Sequence, residues 1–221
     1  MIPVIMKQEY ENNINFFRRV VEVLMPKLPY HNFMHADGVY ESAKMYAELN
    51  GLSEHESYLL ETAGLGHDLG YTLGRGDNEE NTSRELFDLL PTIGYDLRDA
   101  IDIGKMVLPT KLPQRPTNLL EAILCDSDLD SLGREDFFLW GDRLRKEWKK
   151  EDNIEWYGKQ LEFLEEHEYH TKVARDLRKE GKEKNMRKLK EKMDSMTIKP
   201  FEEEKELELI YETRAWPVGY R

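Results

Sequence analysis

Cysteine is nearly missing from this chain. Cys125 stands alone among 221 residues, so no intrachain disulfide can form. That suits a reducing compartment, and a cytoplasmic protein is the expectation. Long apolar runs are missing too. No stretch approaches the roughly 20 apolar residues of a membrane span. The opening "MIPVIMKQEYENN" lacks the basic flank of a signal peptide. No membrane partner is therefore expected. Basic charge is in short supply, with 32 Lys and Arg against 44 Asp and Glu and a formal net charge of −12. A surface of that sign repels a phosphodiester backbone, which argues against a nucleic-acid partner. No stretch alternates apolar with polar residues as a half-buried strand does, and no internal repeat is visible.

What remains is helix. Apolar residues at 39% and charged residues at 34% fit a globular chain with a wide charged surface. "INFFRRVVEVLM" (14–25) and "MHADGVYESAKMYAELNG" (34–51) carry apolar residues at helical spacing. "SEHE" (53–56) is a capping box opening a helix that ends at His67 and Asp68. A glycine-rich break (70–78) precedes helical segments at 79–90, ended by Pro91, and 95–107. "LPTKLPQRP" (108–116) reads as a loop because of its prolines. Residues 117–133 read as one helix stopped by Gly133, and charged helix continues to about 194. The expectation is one all-α domain over 1–200, with a core over 28–133, a C-terminal helical extension over 134–200 and an acidic tail over 201–221.

Against this background the acids and imidazoles stand out. His31 and His35 are four residues apart and share a face if the helix already includes His31. His67 and Asp68 sit side by side in "TAGLGHDLGY" (62–71), an apolar stretch where either needs a partner. "LCDSDLDSLG" crowds Asp126, Asp128 and Asp130 together. Leu124 and Leu132 flank Asp128 at four-residue spacing, so Asp128 lies on an apolar stripe and needs a cation. Asp126 is the alternative fourth ligand. Two imidazoles and two carboxylates suit one divalent ion such as Mn²⁺, Fe²⁺, Co²⁺, Ni²⁺ or Zn²⁺ and leave a coordination position open. Phosphate would need cations, and Lys111 in the proline-bounded loop and Arg75 between two glycines are the candidates.

In the order "YHNxxHA", "GHDLGY", "DSDLDSLG", the chain resembles the HD superfamily of metal-dependent phosphohydrolases, over roughly residues 28–133. The resemblance implies an HD-domain helical bundle. It puts His35, His67, Asp68 and Asp128 in the ligand positions of one of the ions above or of Mg²⁺. "PYHNFMHADGV" is also similar to the signature of cyclic-nucleotide phosphodiesterases, in which the residue at the His31 position protonates the leaving oxygen. Asp68 or Asp128 would orient or deprotonate the attacking water, and Glu79 would brace a ligand histidine. Dinuclear members carry further histidines after the doublet. Here that place reads "DNEEN", and no histidine occurs between 68 and 166, so one metal is expected. The implied substrate is a phosphomonoester or phosphodiester, a nucleotide or cyclic nucleotide above all. A non-catalytic nucleotide- or metal-binding regulator is the alternative, and a purely structural helical protein requires that no metal binds.

Each feature has a plain structural explanation beside the chemical one. His67–Asp68 can be a buried ion pair, His31 a helix-start residue, and Lys111 and Arg75 surface charges. His55 is expected in solvent, "HEYH" (167–170) at a solvated helix end, and the aromatics over 148–169 in the core. The basic stretch 172–192 reads as a solvated face, and the charged helices leave room for a homo-oligomeric interface.

Overall fold

The computed structural model describes residues 4–74 and 76–213, with side chains from 6 to 197 apart from Arg75. Among them are nine α-helices, four short 3₁₀ turns and no strand. The helices are α1 (Val4–Leu24), α2 (Phe33–Leu49), α3 (Glu54–Gly66), α4 (Asn78–Leu89), α5 (Leu97–Val107), α6 (Leu119–Asp128), α7 (Phe137–Glu147), α8 (Ile154–Glu166) and α9 (Lys172–Thr213). None is long and apolar enough to cross a membrane. The all-helical expectation holds.

Short polar side chains start these helices by accepting from backbone amides that lack a helical partner. Asn32 accepts from Met34 and His35, Asn118 from Glu121, and Asn153 from Trp156. Ser53 and Glu56 form the capping box read from the sequence. α2 lies along α3, where a Cβ on Gly64 would meet Ala43 and the Val39 carbonyl at close contact. The main core unites α1 through α6 around Phe17, Leu60, Leu65, Leu86 and Ile123, all fully buried. Burying such a side chain contributes about 1.5–3 kcal/mol. A second, smaller cluster joins α7, α8 and α9 through Phe137, Trp156, Leu164 and Leu189.

The end of α6 ties the two clusters together. Asp126 accepts from the backbone amides of His170 (2.7 Å) and Thr171 (2.8 Å), which fixes the start of α9. Asp130 receives the Arg178 guanidinium through two bonds, 2.6 and 2.9 Å, and the hydroxyls of Tyr46 and Ser42. Asn185 donates to the carbonyls of Leu132 and Arg134, both at 2.9 Å. α9 comes so close there that a Cβ on Gly181 would lie 1.9 Å from the Gly133 oxygen.

Several sequence expectations need correction. His31 lies outside α2, because Asn32 caps a helix that begins at Phe33. The 117–133 segment is two elements: α6 ends at Asp128, and a 3₁₀ turn spans Asp130–Gly133. The helix before Pro91 does end there, as α4 stops at Leu89, but a 3₁₀ turn, Leu90–Ile93, carries the chain on through the proline at a position where no amide donor is needed. Another, Leu108–Thr110, opens the proline-rich loop. The final helix runs through Pro200 to Thr213 and does not stop near 194. His167 is not solvated: both ring nitrogens are buried without partners, and burial beside Lys182 lowers its pKa to about 4. Asp126 and Asp130 are buried and hydrogen-bonded.

Two glycines make opposite predictions. Gly38, inside α2, has open space where a methyl group would stand, so Gly38→Ala should raise Tm by about 1–4 °C through helix propensity alone. Gly181→Ala should lower Tm by roughly 5 °C or more, because backbone blocks the methyl group. Scanning calorimetry on both variants checks the pair, and equal shifts would contradict the close docking of α9.

Candidate metal centre and its cavity

Four ends of secondary structure deliver the central residues. The Asn32 cap puts His35 in the first turn of α2. His67 is the C-terminal cap of α3, and its Nδ1–H donates to the Gly64 carbonyl at 2.8 Å. That bond directs the Nε2 lone pair away from the helix. Asp68 follows at once, and its Oδ1 accepts from the Asn78 amide at 2.9 Å, at the start of α4. Asp128 is the last residue of α6.

Their free atoms converge. His35 Nε2 and His67 Nε2 are 3.2 Å apart. Asp128 Oδ1 is 3.4 Å from each. Asp68 Oδ2 is 3.1 Å from His67 Nε2 and 3.4 Å from His35 Nε2. His35, His67 and Asp68 are buried, while the Asp128 side chain keeps 18% of its surface exposed. Burial disfavours the charged imidazoles, but the carboxylates of Asp68 and Asp128 outweigh it and hold His67 well above 6.5 and His35 above it. Burial likewise pushes against the charged carboxylates. The imidazoles overcome it and hold Asp68 well below the usual carboxylate range, with Asp128 lowered as well. Two nitrogen lone pairs and two carboxylate oxygens at one point demand positive charge between them. Protons on the imidazoles supply it in part, and a divalent ion of borderline hardness fits His35, His67 and Asp128, which can each offer one atom to it, with Asp68 Oδ2 alongside both imidazoles.

His31 sits beside this cluster, held from a distant helix. Its Nδ1–H donates to Glu147 Oε1 at 2.7 Å, while Glu147 Oε2 accepts from the amides of Tyr30 and His31 at 2.9 and 3.0 Å. The His31 ring stacks on Tyr71, centroids 3.9 Å apart. Burial pulls its pKa below 6.5, against the charges of Asp68 and Glu147. Sequence reasoning does not reach Glu147. In "RLRKEWKK" it reads as one more surface charge, and only the fold brings it to His31. Asn78 escapes for the same reason: it braces Asp68, whereas Glu79 lines the cavity without touching a ligand histidine.

A cavity of about 490 Å³ opens over the cluster. His31, His35, Asp68, Asp128, Tyr71 and Glu79 line one side. Lys111 is exposed and paired with Glu80 at 2.7 Å; its neighbours Thr110 and Leu112 line the cavity, and it does not. Arg75 lies outside the described residues. The expectation for the C-terminal aromatics holds in part. Trp156, Tyr157 and Tyr169 are core, Trp156 with one side on the cavity, while the exposed Trp148 and half-buried Phe163 wall it. His55 is partly exposed and pairs with Asp99 at 3.0 Å.

No family model matches the chain, and no curated protein does. Two solved structures share its fold. One is YpgQ of Bacillus subtilis in complex with ADP, with 18% identity and a TM-score of 0.64, covering 85% of this chain and 98% of that one. The other is a predicted HD superfamily hydrolase from an uncultured Thermotogales bacterium, with 20% identity and a TM-score of 0.55, covering 84% and 91%. Likeness at this identity carries the fold alone: this chain has the helical bundle of those two structures.

A divalent ion competes with protons for the two imidazoles, so its affinity grows with pH. The raised imidazole pKa values stabilise the metal-free fold below about 6.5 and cease to do so as pH climbs through them. At a hundredfold excess over Kd, Mn²⁺ should stabilise by about 2.7 kcal/mol, or roughly 5–10 °C in Tm. The shift should be larger at pH 8 than at pH 6 and vanish in Asp128→Asn at the same ion concentration. Melting curves with Mn²⁺, Fe²⁺, Co²⁺, Ni²⁺, Zn²⁺ or chelator decide it; no shift with any ion at either pH contradicts the centre.

Proposed function

We propose that this chain is a metal-dependent phosphohydrolase that cleaves a phosphate ester of a nucleotide. The convergence of His35, His67 and Asp128, with Asp68 Oδ2 against both imidazoles, beneath a cavity far larger than an ion needs, carries the reading. The fold supports it, since one structure of like fold is a predicted HD superfamily hydrolase and another is in complex with ADP.

The four residues would hold one divalent ion, which when bound polarises phosphoryl oxygen and makes water nucleophilic near neutral pH. Asp68 Oδ1 is held by Asn78, which fixes Oδ2 against both imidazoles, where it would share in holding the ion and orient the attacking water beside it. His31 has Nδ1 committed to Glu147, which leaves Nε2 to carry a proton to the departing oxygen. Glu147 also favours the protonated imidazole, against the burial that disfavours it. Tyr71 holds the His31 ring in plane against the cavity wall. Lys111 reaches a phosphate only by leaving Glu80; that pair is exposed and screened by solvent, so the exchange is feasible. Arg75 is the other proposed phosphate contact.

The test is turnover of nucleoside mono-, di- and triphosphates, cyclic nucleotides and p-nitrophenyl phosphates with each divalent ion. Asp68→Ala should abolish it. His31→Gln should lower kcat roughly a hundred- to ten-thousandfold while leaving the metal-induced rise in Tm intact. Glu147→Gln removes the charge that favours the imidazolium, so activity should fall off at lower pH than in the parent. Metal and nucleotide binding without turnover of any substrate would make the chain a binding protein instead.

A further inference from the structure

The cavity has two unlike halves. One holds the His/Asp cluster. The other runs between α7 and α8 and is walled by Trp148, Trp156 and Phe163, with Lys150, Lys159 and Gln160 as the polar groups among them, while Trp140, its ring 5.8 Å from that of His35, stands where the two halves meet. A water molecule's share of liquid volume is about 30 Å³, so an ion and one phosphate leave most of the 490 Å³ unfilled. The rings of Trp148 and Trp156 stand at 89° with centroids 6.2 Å apart, giving the wall both a face and an edge. Trp148 keeps 46% of its surface exposed, which leaves part of its ring open to a ligand.

Gln160 separates the kinds of ligand this wall can take. It is half-buried, and its side-chain amide makes no hydrogen bond to any described residue. An alkyl or phenyl group lying there would shut that amide away from water and leave it unpaired, which is unfavourable. A planar ring whose edge carries an acceptor beside a donor would satisfy it. α7 makes room for the amide: a Cβ on Gly141 would lie 2.9 Å from Gln160 Oε1. Glycine inside a helix is destabilising relative to alanine, so the opening is kept against helix propensity.

We propose that the α7–α8 half of the cavity is a nucleobase subsite. Trp156 and Phe163 pack on the base, and the Gln160 amide pairs with its edge. The assignment rests on the reading that the phosphate lies at His35, His67, Asp68 and Asp128. It places substrate selection on residues with no part in the hydrolytic chemistry.

Three of the chain's four tryptophans line this cavity, so intrinsic fluorescence reports its occupancy. Adenosine, guanosine, cytidine and uridine, which have no phosphate, should include at least one that quenches the full-length protein saturably without metal. By calorimetry with Mn²⁺, the matching nucleoside 5′-monophosphate should bind about tenfold or more tighter than ribose 5-phosphate. Gln160→Leu and Trp156→Ala should each shrink that ratio severalfold and leave ribose 5-phosphate affinity within about twofold. Gly141→Ala should act like Gln160→Leu and serves if Trp156→Ala fails to fold. Asp68→Ala should lose phosphate affinity and keep the nucleoside quenching. If ribose 5-phosphate and all four nucleotides bind alike, the subsite is wrong while the phosphate site stands. If no phosphate binds but a nucleoside still quenches, the hydrolase reading fails and the base subsite survives.

Discussion

Four hydrogen-bond acceptors aimed at one buried point are the constraint on which the rest of this molecule turns. Two imidazole nitrogens and two carboxylate oxygens lie 3.1 to 3.4 Å from one another along the contacts that link them. Lone pairs so placed repel unless positive charge stands among them. Each donor comes from the end of an element, not its middle. His35 opens α2, His67 closes α3, Asp68 begins the turn after it, and Asp128 closes α6. Helix ends are where backbone groups lack partners and side chains can leave the helix surface. A fold of packed helices can therefore converge such groups without breaking any helix to do so.

The legible part of this arrangement is local or strongly patterned. The His67–Asp68 doublet in an apolar stretch, the acids of "DSDLDSLG" and the capping box at Ser53 all announce themselves within a few residues. Asp128 stands out from Asp126 because Leu124 and Leu132 bracket it at helical spacing. Only half of that stripe is helix, since α6 ends at Asp128 and Leu132 belongs to the following turn. The hidden part depends on pairs far apart in the chain. Glu147 meets His31 across 116 residues, and in the sequence it is one acid in a run of lysines and arginines. Asn78 follows a glycine-rich turn and looks like a helix start; its service to Asp68 depends on Gly70, where a Cβ would meet the Asn78 carbonyl at 2.2 Å. The aromatic wall is hidden because a tryptophan at helical spacing reads the same whether it faces a core or a cavity.

The three aspartates at the end of α6 show how the fold resolves a crowding that looks unfavourable in sequence. Each is turned to a different source of positive potential. Asp126 faces the amides at the start of α9, Asp130 faces Arg178 and the Tyr46 hydroxyl, and Asp128 faces the imidazoles. Buried carboxylates are tolerated when donors surround them, and each of these has at least two. The same geometry removes Asp126 from competition as a ligand, because both of its oxygens are already engaged by backbone amides.

This division also fixes the standing of the C-terminal helices. The stretch that resembles known phosphohydrolases ends near Gly133, as if α7, α8 and α9 were an appendage. The contacts say otherwise. Without α9, Asp130 would keep the Ser42 and Tyr46 hydroxyls but lose the Arg178 guanidinium, and the His170 and Thr171 amides that lead into α9 would no longer be held at Asp126, two residues from Asp128. Without α7, the Tyr30 and His31 amides and the His31 ring would lose the carboxylate that holds them. The cluster of α7, α8 and α9 thus performs two tasks through one packing arrangement. It neutralises the charges that flank the centre, and it builds the aromatic wall facing it. A change in how α7 and α8 pack would therefore alter both the orientation of His31 and the shape of the space beside it. Site chemistry and ligand choice are coupled in this fold through Glu147, which closes the helix whose other residues line the wall.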